Sequence, residues 1–158
     1  MTIETVGIVG CGLMGSGITQ VCAQAGYRTI VMESSENSLE LGMGRINNFL
    51  SRDVSKDKLT NTEKVATLDR ITSTTKYEDL ASCDLVIEAV TENLNEKKLV
   101  FQTIDSIAPP HAILASNTSS ISITELAAET NRPQSILGLH FFNPVPIMRL
   151  IEMVVGLQ

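Results

Sequence analysis

The stretch TVGIVGCGLMGSG, Thr5 to Gly17, restricts this chain more than any other part of it. An apolar run from Val6 to Val9 is followed at once by Gly10-x-Gly12-x-x-Gly15 and by a helical pattern reaching about Ala25. A strand, a glycine turn and a helix N-terminus are predicted in that order. The physics asks for glycine three times: at Gly10 for a turn that no Cβ permits, at Gly12 for approach of a pyrophosphate to the backbone, and at Gly15 for tight packing of helix on strand. The open N–H groups and the positive end of the helix dipole then face the phosphates. Glycine turns have other structural uses, and what separates this one is its context. A second apolar strand, Thr29 to Met32, ends in Glu33, about 20 positions beyond the turn, where an acidic side chain accepts the hydroxyls of an adenine ribose. Dinucleotide binding through the turn residues and Glu33 is the expectation.

Beyond Glu33 the periodicity alternates. Leu39, Met43, Ile46, Phe49 and Leu50 recur at helical spacing within Ser34 to Arg52, and Thr60-Asn61-Thr62-Glu63 has capping-box spacing at the start of a further helical piece through Val65 and Leu68. Ile71 to Thr74 reads as a short strand, Tyr77 to Ala81 as a single helical turn, and Leu85 to Val90 as the near-continuous apolar strand of a sheet covered on both faces. Asn93 caps a helix from Leu94 to Ile107 that Pro109-Pro110 stops, Ile113 to Ser116 is a strand, and Ser122 caps a helix to about Thr130. Ser135 to Phe141 is a further strand, running into Asn143-Pro144. Such alternation predicts an α/β chain, a Rossmann-type doubly wound and mostly parallel sheet, in one domain over 1–158 with no repeat or linker. Ligands of such sheets lie beyond the carboxyl ends of the strands, so Glu33, Glu92, Ser116 to Ser120 and His140 to Asn143 should meet at one crevice.

Composition narrows the partners. A net charge of −6 argues against nucleic acid, and no apolar run is long enough to cross a bilayer. The chain enters its first strand with no targeting region before it, so a cytoplasmic protein is expected. Cys11, Cys22 and Cys83 have no metal spacing, so the expectation is buried thiols of a reducing compartment and no metal. Cys11 reads as a small residue that fits the turn.

Hydride transfer to a nicotinamide needs a group to handle the accompanying proton. Of the two histidines, His111 lies in a loop at the amino end of a strand and reads as a surface residue, whereas His140 ends a strand on the cofactor side. The two prolines within Phe141 to Met148 turn the chain back, and Arg149 to Val154 has strand character. A hairpin-like return brings Glu152 beside His140, where a carboxylate fixes the imidazole tautomer; the alternative is an exposed strand carboxylate. Lys56 and Lys58, between the two helical pieces, are either a handle for an anionic substrate or ordinary solvated lysines.

The stretches GIVGCGLMGSGI, VIEAVTENLNEKK, ASNTSSISI and LGLHFFNPVPIMRLIEMV resemble, in order and spacing, the NAD-binding domain of the 3-hydroxyacyl-CoA dehydrogenase family, and most closely its bacterial 3-hydroxybutyryl-CoA members. The resemblance runs from about residue 5 to 156. It implies oxidation of a 3-hydroxyacyl-CoA, short-chain in the bacterial members, to a 3-ketoacyl-CoA with NAD as hydride acceptor, or the reverse, in fatty acid metabolism. It further implies His140 as catalytic base, Glu152 as the carboxylate that orients it, and Ser119 and Asn143 beside substrate and nicotinamide. Gly10, Gly12, Leu13, Met14, Gly15, Glu92 and Lys97 would line the cofactor, Lys56 would lie near the CoA end, and Glu33 replaces the family's ribose aspartate. The family's chains continue into a helical domain that closes the substrate crevice and forms a homodimer. The chain ends at Gln158, so that domain is expected to be absent and the fragment's own competence reduced. Two alternatives stay open: a non-catalytic NAD(H)-binding module, and a two-domain hydroxy-acid dehydrogenase that does not use CoA.

Overall fold

The computed structural model describes residues 2–157. Its strands are β1 (Thr5–Val9), β2 (Arg28–Met32), β3 (Ile71–Thr74), β4 (Leu85–Glu88), β5 (Ile113–Ser116), β6 (Ile136–Phe141) and β7 (Ile151–Val155). Its α-helices are α1 (Leu13–Gln24), α2 (Glu36–Ser55), α3 (Asn61–Leu68), α4 (Leu94–Ile107) and α5 (Ile123–Ala127), with a short 3₁₀ turn at Tyr77–Ser82. The sheet runs β3-β2-β1-β4-β5-β6-β7. The chain winds outward from β1 to one edge and then, from β4, to the other. Every neighbouring pair from β3 to β6 is parallel, and β7 returns antiparallel on β6. The switch of winding direction lies between β1 and β4, where a doubly wound sheet opens a crevice.

Both faces of the central strands are dry, as their apolar sequences require. Val86 and Leu114 pack with Phe101 and Ile104 of α4 and Leu126 of α5 in one cluster, while Ile8, Val31 and Ile87 pack with Ile18 of α1 and Leu39 of α2 in the other. Side chains so fully withdrawn from water each contribute about 1.5–3 kcal/mol.

Helix starts are set by local chemistry. Ser35, Thr60, Asn93 and Ser122 each accept from the backbone N–H three residues on, and Thr60 with Glu63 forms the reciprocal box that its spacing predicts. Several boundaries differ from the sequence reading, β7 among them in running Ile151–Val155 rather than from Arg149, and three have a local cause. β4 stops at Glu88 rather than Val90, because the Glu88 carboxylate takes the Val90 N–H at 2.7 Å and ends the ladder. α2 runs on to Ser55 before Asp57 turns it with φ of 54°. α5 closes at Ala127, where Glu129 and Thr130 donate three residues back and tighten the coil into 3₁₀-type bonds.

α2 lies close against the glycine turn. A Cβ at Gly42 would sit 2.2 Å from Cys11 Sγ and 2.4 Å from its carbonyl oxygen. The Arg45 guanidinium, three residues along, donates to that same carbonyl at 3.3 Å.

Candidate active site

The glycine turn is shaped as its spacing requires. Gly10 has φ of 97°, and a Cβ on it would meet the Ala89 carbonyl at 2.8 Å. One on Gly15 would stand 1.8 Å from the Gly10 oxygen. Gly12 is different: its missing Cβ points into open space, with nothing within 4 Å. It also begins α1, which has no side-chain cap, unlike the four other α-helices of the described residues. Uncapped N–H groups beside an open glycine are what a phosphate needs. The turn borders a cavity of about 430 Å³ lined by Gly10, Gly12, Glu33, Ser34, Tyr77 and Val90, among others.

Glu33 follows β2 and folds back over the turn. One carboxylate oxygen accepts from Cys11 N at 2.8 Å, and the other from Ser34 N at 2.7 Å and Ser34 Oγ at 3.0 Å. It thus lies at the turn, at the rim where the ribose is expected.

A second cavity, about 400 Å³, adjoins the first across Ala89 and Val90 and is lined by Met14, Glu92, Lys97, Ser119, His140 and Asn143 with their neighbours. Glu92, Ser119, His140 and Asn143 come from the carboxyl ends of β4, β5 and β6, as expected, whereas Met14 and Lys97 come from the first turns of α1 and α4. In the β6–β7 ladder His140 is directly opposite Glu152, and Nδ1 lies 2.8 Å from the carboxylate. The imidazole is 22% exposed, tilted against the Phe142 ring at 4.5 Å between centroids, and Glu152 stands on the solvent side at 56%. The main-chain N–H of Phe141 donates to Asn117 Oδ1 at 2.9 Å, which ties the end of β6 to the loop after β5.

That loop is held from below. Glu92 accepts from Thr118 Oγ1, from Ser119 N at 3.1 Å and from Ser120 Oγ at 3.3 Å. Partial burial pushes the Glu92 carboxyl up, but the Thr118 hydroxyl, the Lys97 ammonium and the Ser119 N–H together outweigh it and hold it below its usual value. Lys97 is buried, with Nζ 2.6 Å from Glu88 and 3.4 Å from Glu92. Glu88 itself is fully buried and also accepts from Ser116 Oγ at 2.6 Å. The sequence reading placed Lys97 at the cofactor; the structure puts it on the cavity floor with its charge already engaged.

Two expected residues stand apart from these cavities. Lys56 is exposed at the C-terminal end of α2 and lines neither of them. Leu13 lines not the cavity of Met14 but a third one of about 390 Å³, with Arg45, Phe49, Arg52 and Asn143. His111 is exposed and bonded to Asp84 at 3.1 Å, away from the site. The sequence reading has no place for Glu88 or the Arg45–Arg52 pair, and it includes Ser116 and Thr118 only as part of the Ser116 to Ser120 stretch. A carboxylate ending an apolar strand was the one available signal for Glu88. Among the described residues no cluster of His, Cys, Asp and Glu can hold a metal ion, and no helix is long and apolar enough to cross a membrane.

The arrangement has known counterparts. The family model for the 3-hydroxyacyl-CoA dehydrogenase NAD-binding domain matches residues 5–158. A probable 3-hydroxybutyryl-CoA dehydrogenase of Bacillus subtilis is 46% identical over 99% of this chain and 55% of its own length. A 3-hydroxybutyryl-CoA dehydrogenase of Mycobacterium tuberculosis is 48% identical over 96% of this chain and 54% of its own. The crystal structure of the (S)-3-hydroxybutyryl-CoA dehydrogenase from Ralstonia eutropha superposes with a TM-score of 0.97 at 47% identity, over 99% of this chain and 56% of that one. The chain thus spans about half the length of the relatives it matches. On fold, glycine turn and sequence together, it belongs to the 3-hydroxyacyl-CoA dehydrogenase NAD-binding domain family.

Proposed function

We propose that this chain binds NAD(H) along the glycine turn and supplies the proton-handling half of a 3-hydroxyacyl-CoA dehydrogenase, oxidising a short-chain substrate such as 3-hydroxybutyryl-CoA or running the reverse reduction in fatty acid metabolism. The observation that carries the reading is the His140–Glu152 contact of 2.8 Å at the wall of the second cavity. With Nδ1 donating to Glu152, Nε2 of the neutral ring is left as the acceptor, the tautomer a general base needs. In oxidation His140 takes the hydroxyl proton of the substrate, and the Glu152 carboxylate stabilises the imidazolium that forms. In reduction the imidazolium donates to the developing oxyanion. Bound NAD supplies the hydride acceptor. Ser119 and Asn143, on the same cavity wall, orient the substrate oxygen and the nicotinamide, and Met14 covers the apolar side. Gly10, Gly12 and Gly15 shape the phosphate cradle. Glu33 accepts the ribose hydroxyls in exchange for its present donors and repels the extra phosphate of NADP.

The CoA moiety is anionic, and the third cavity offers the complementary charge. Arg45 and Arg52 line it with no carboxylate among its neighbours, and Lys56 follows one turn beyond Arg52. On this reading a helical second domain closes the acyl pocket and forms the dimer. We place the activity in the cytoplasm, where three free thiols stay reduced.

Fluorescence titration of the chain with NADH and with NADPH tests the cofactor site; saturable NADH binding and much weaker NADPH binding are expected. Absence of NADH binding by a folded sample would refute the reading. Oxidation of bound NADH by acetoacetyl-CoA but not by free acetoacetate separates a CoA enzyme from a hydroxy-acid dehydrogenase, and binding without any turnover in the full-length enzyme would favour a non-catalytic module.

A further inference from the structure

The floor of the second cavity carries an unequal set of charges. Among the described residues Lys97 is the only cation that lines it, and its ammonium is shared between two carboxylates at unequal range, Glu88 at 2.6 Å and Glu92 at 3.4 Å. Glu88 is wholly buried, bonded also to Val90 N and Ser116 Oγ, and contributes nothing to the cavity surface. Its negative charge is therefore spent on Lys97. Glu92 is 42% exposed and lines the cavity, so the trio has a net charge of −1 concentrated on the carboxylate that faces the ligand. The other titratable groups at this wall, His140 and its partner Glu152, add no permanent cation.

The oxidised nicotinamide ring is a cation and the reduced ring is neutral, while the rest of the cofactor is the same in both. We infer that Glu88, Lys97 and Glu92 form a charge-selective floor: Glu88 neutralises Lys97 so that the free charge of Glu92 favours the oxidised cofactor over the reduced one. The inference rests on the assignment of this cavity to the nicotinamide. The hydrogen bonds from Thr118, Ser119 and Ser120 keep Glu92 ionised and in place without cancelling its charge. Glu88 is thus a positioning and charge-setting residue that touches no ligand. A purely structural role for the trio predicts something different: its loss would loosen the Ser119 loop and weaken both cofactor forms alike.

The diagnostic quantity is the ratio of the dissociation constants for NAD+ and NADH, measured by titration calorimetry on the same preparation. Glu92→Gln and Glu88→Gln each take the trio from −1 to 0. Each is expected to raise the ratio by about threefold to tenfold, as removing one partly screened charge near a cation does. The Glu88 variant does so without changing a cavity-lining atom. Glu92→Asp keeps the charge on a shorter arm and is expected to keep the wild-type ratio even where both affinities fall. If Glu88→Gln does not fold, as circular dichroism would show, the two Glu92 variants decide alone. Equal weakening of NAD+ and NADH in Glu92→Gln would overturn the inference while leaving the cofactor site standing. A wild-type chain that binds neither form would overturn both.

Discussion

Replacing Gly42 by alanine sets two effects of opposite sign against each other. Gly42 lies inside α2, so the alanine gains helix propensity of about 1 kcal/mol. The added methyl would stand 2.2 Å from Cys11 Sγ and 2.4 Å from the Cys11 carbonyl oxygen, where ordinary contact begins near 3.4 Å. The helix and the glycine turn must part by roughly 1 Å, and forcing a methyl into a packed contact costs about 1–3 kcal/mol. One neighbour here is backbone, fixed between β1 and α1, so the upper end of that range applies. A net loss of about 2 kcal/mol is expected. Gly44, two residues on in the same helix, has nothing within 4 Å of the site of a Cβ, and its alanine variant should gain about 0.5–1 kcal/mol. Urea denaturation followed by circular dichroism reads both, and thermal midpoints should separate by roughly 6–12 °C at about 2–4 °C per kcal/mol. Because the displaced element is the phosphate cradle, Gly42→Ala should also weaken NADH binding, and Gly44→Ala should not. If the two variants proved equally stable, with the same NADH affinity as the parent, the packing argument and the turn's dependence on α2 would both fail.

The proposed chemistry makes His140→Gln lose about three decades of acetoacetyl-CoA-dependent turnover in the full-length enzyme while keeping NADH affinity, since a general base and an oxyanion donor go together. Retained turnover would exclude His140 as the base. The backbone N–H groups of Glu4 and Thr5, with His111, hold the Asp84 carboxyl down at about 2 from a usual 3.8. A depressed carboxyl stabilises the fold above its unfolded pKa and loses that contribution as pH falls through the folded one. The stability advantage of the parent over Asp84→Asn should therefore be full at pH 7 and shrink between about pH 4 and pH 2, as urea midpoints across that range would reveal. Burial pushes the thiols of Cys22 and Cys83 up to about 12 and, with Glu33 adding to it, that of Cys11 to about 11. The native chain should then react slowly with an aromatic disulfide reagent at pH 8 and rapidly once unfolded; fast labelling of Cys11 in the native state would contradict its packed position.

Much of this molecule is legible in its sequence because local chemistry and global fold agree. Thr60, Asn93 and Ser122 announce their helices by spacing alone, and the strands alternate with them in the order that forces a parallel sheet. The return of the chain after Pro146 puts Glu152 opposite His140, as the hairpin reading expected. What stayed hidden has no local signature. Gly42 reads as a weak spot in a helix, and only the position of the turn across from it explains the absence of a side chain. Glu88 reads as one polar letter in an apolar run, whereas its partners Lys97 and Ser116 arrive from a helix and a strand 9 and 28 residues away. Even the end of β4 depends on it, since the same carboxylate captures Val90 N.

The position of the proton-handling pair at the margin of the sheet has its own consequence. Among the described residues β7 is the outermost strand, all five of its residues are exposed, and it pairs with β6 alone. Strands of that kind open locally at a fraction of the free energy that unfolds the whole domain. Fraying of β7 parts Glu152 from His140 while the cofactor cradle, six strands and both cores stay intact. Parity matters as well: a one-residue slip sets Ile151 or Met153 opposite His140 and turns Glu152 to the other face of the sheet. Heat or mild denaturant should therefore part the His140–Glu152 pair of this chain before it releases cofactor, and any change of length in the connection before β7 is tolerated only where it leaves that pairing in step.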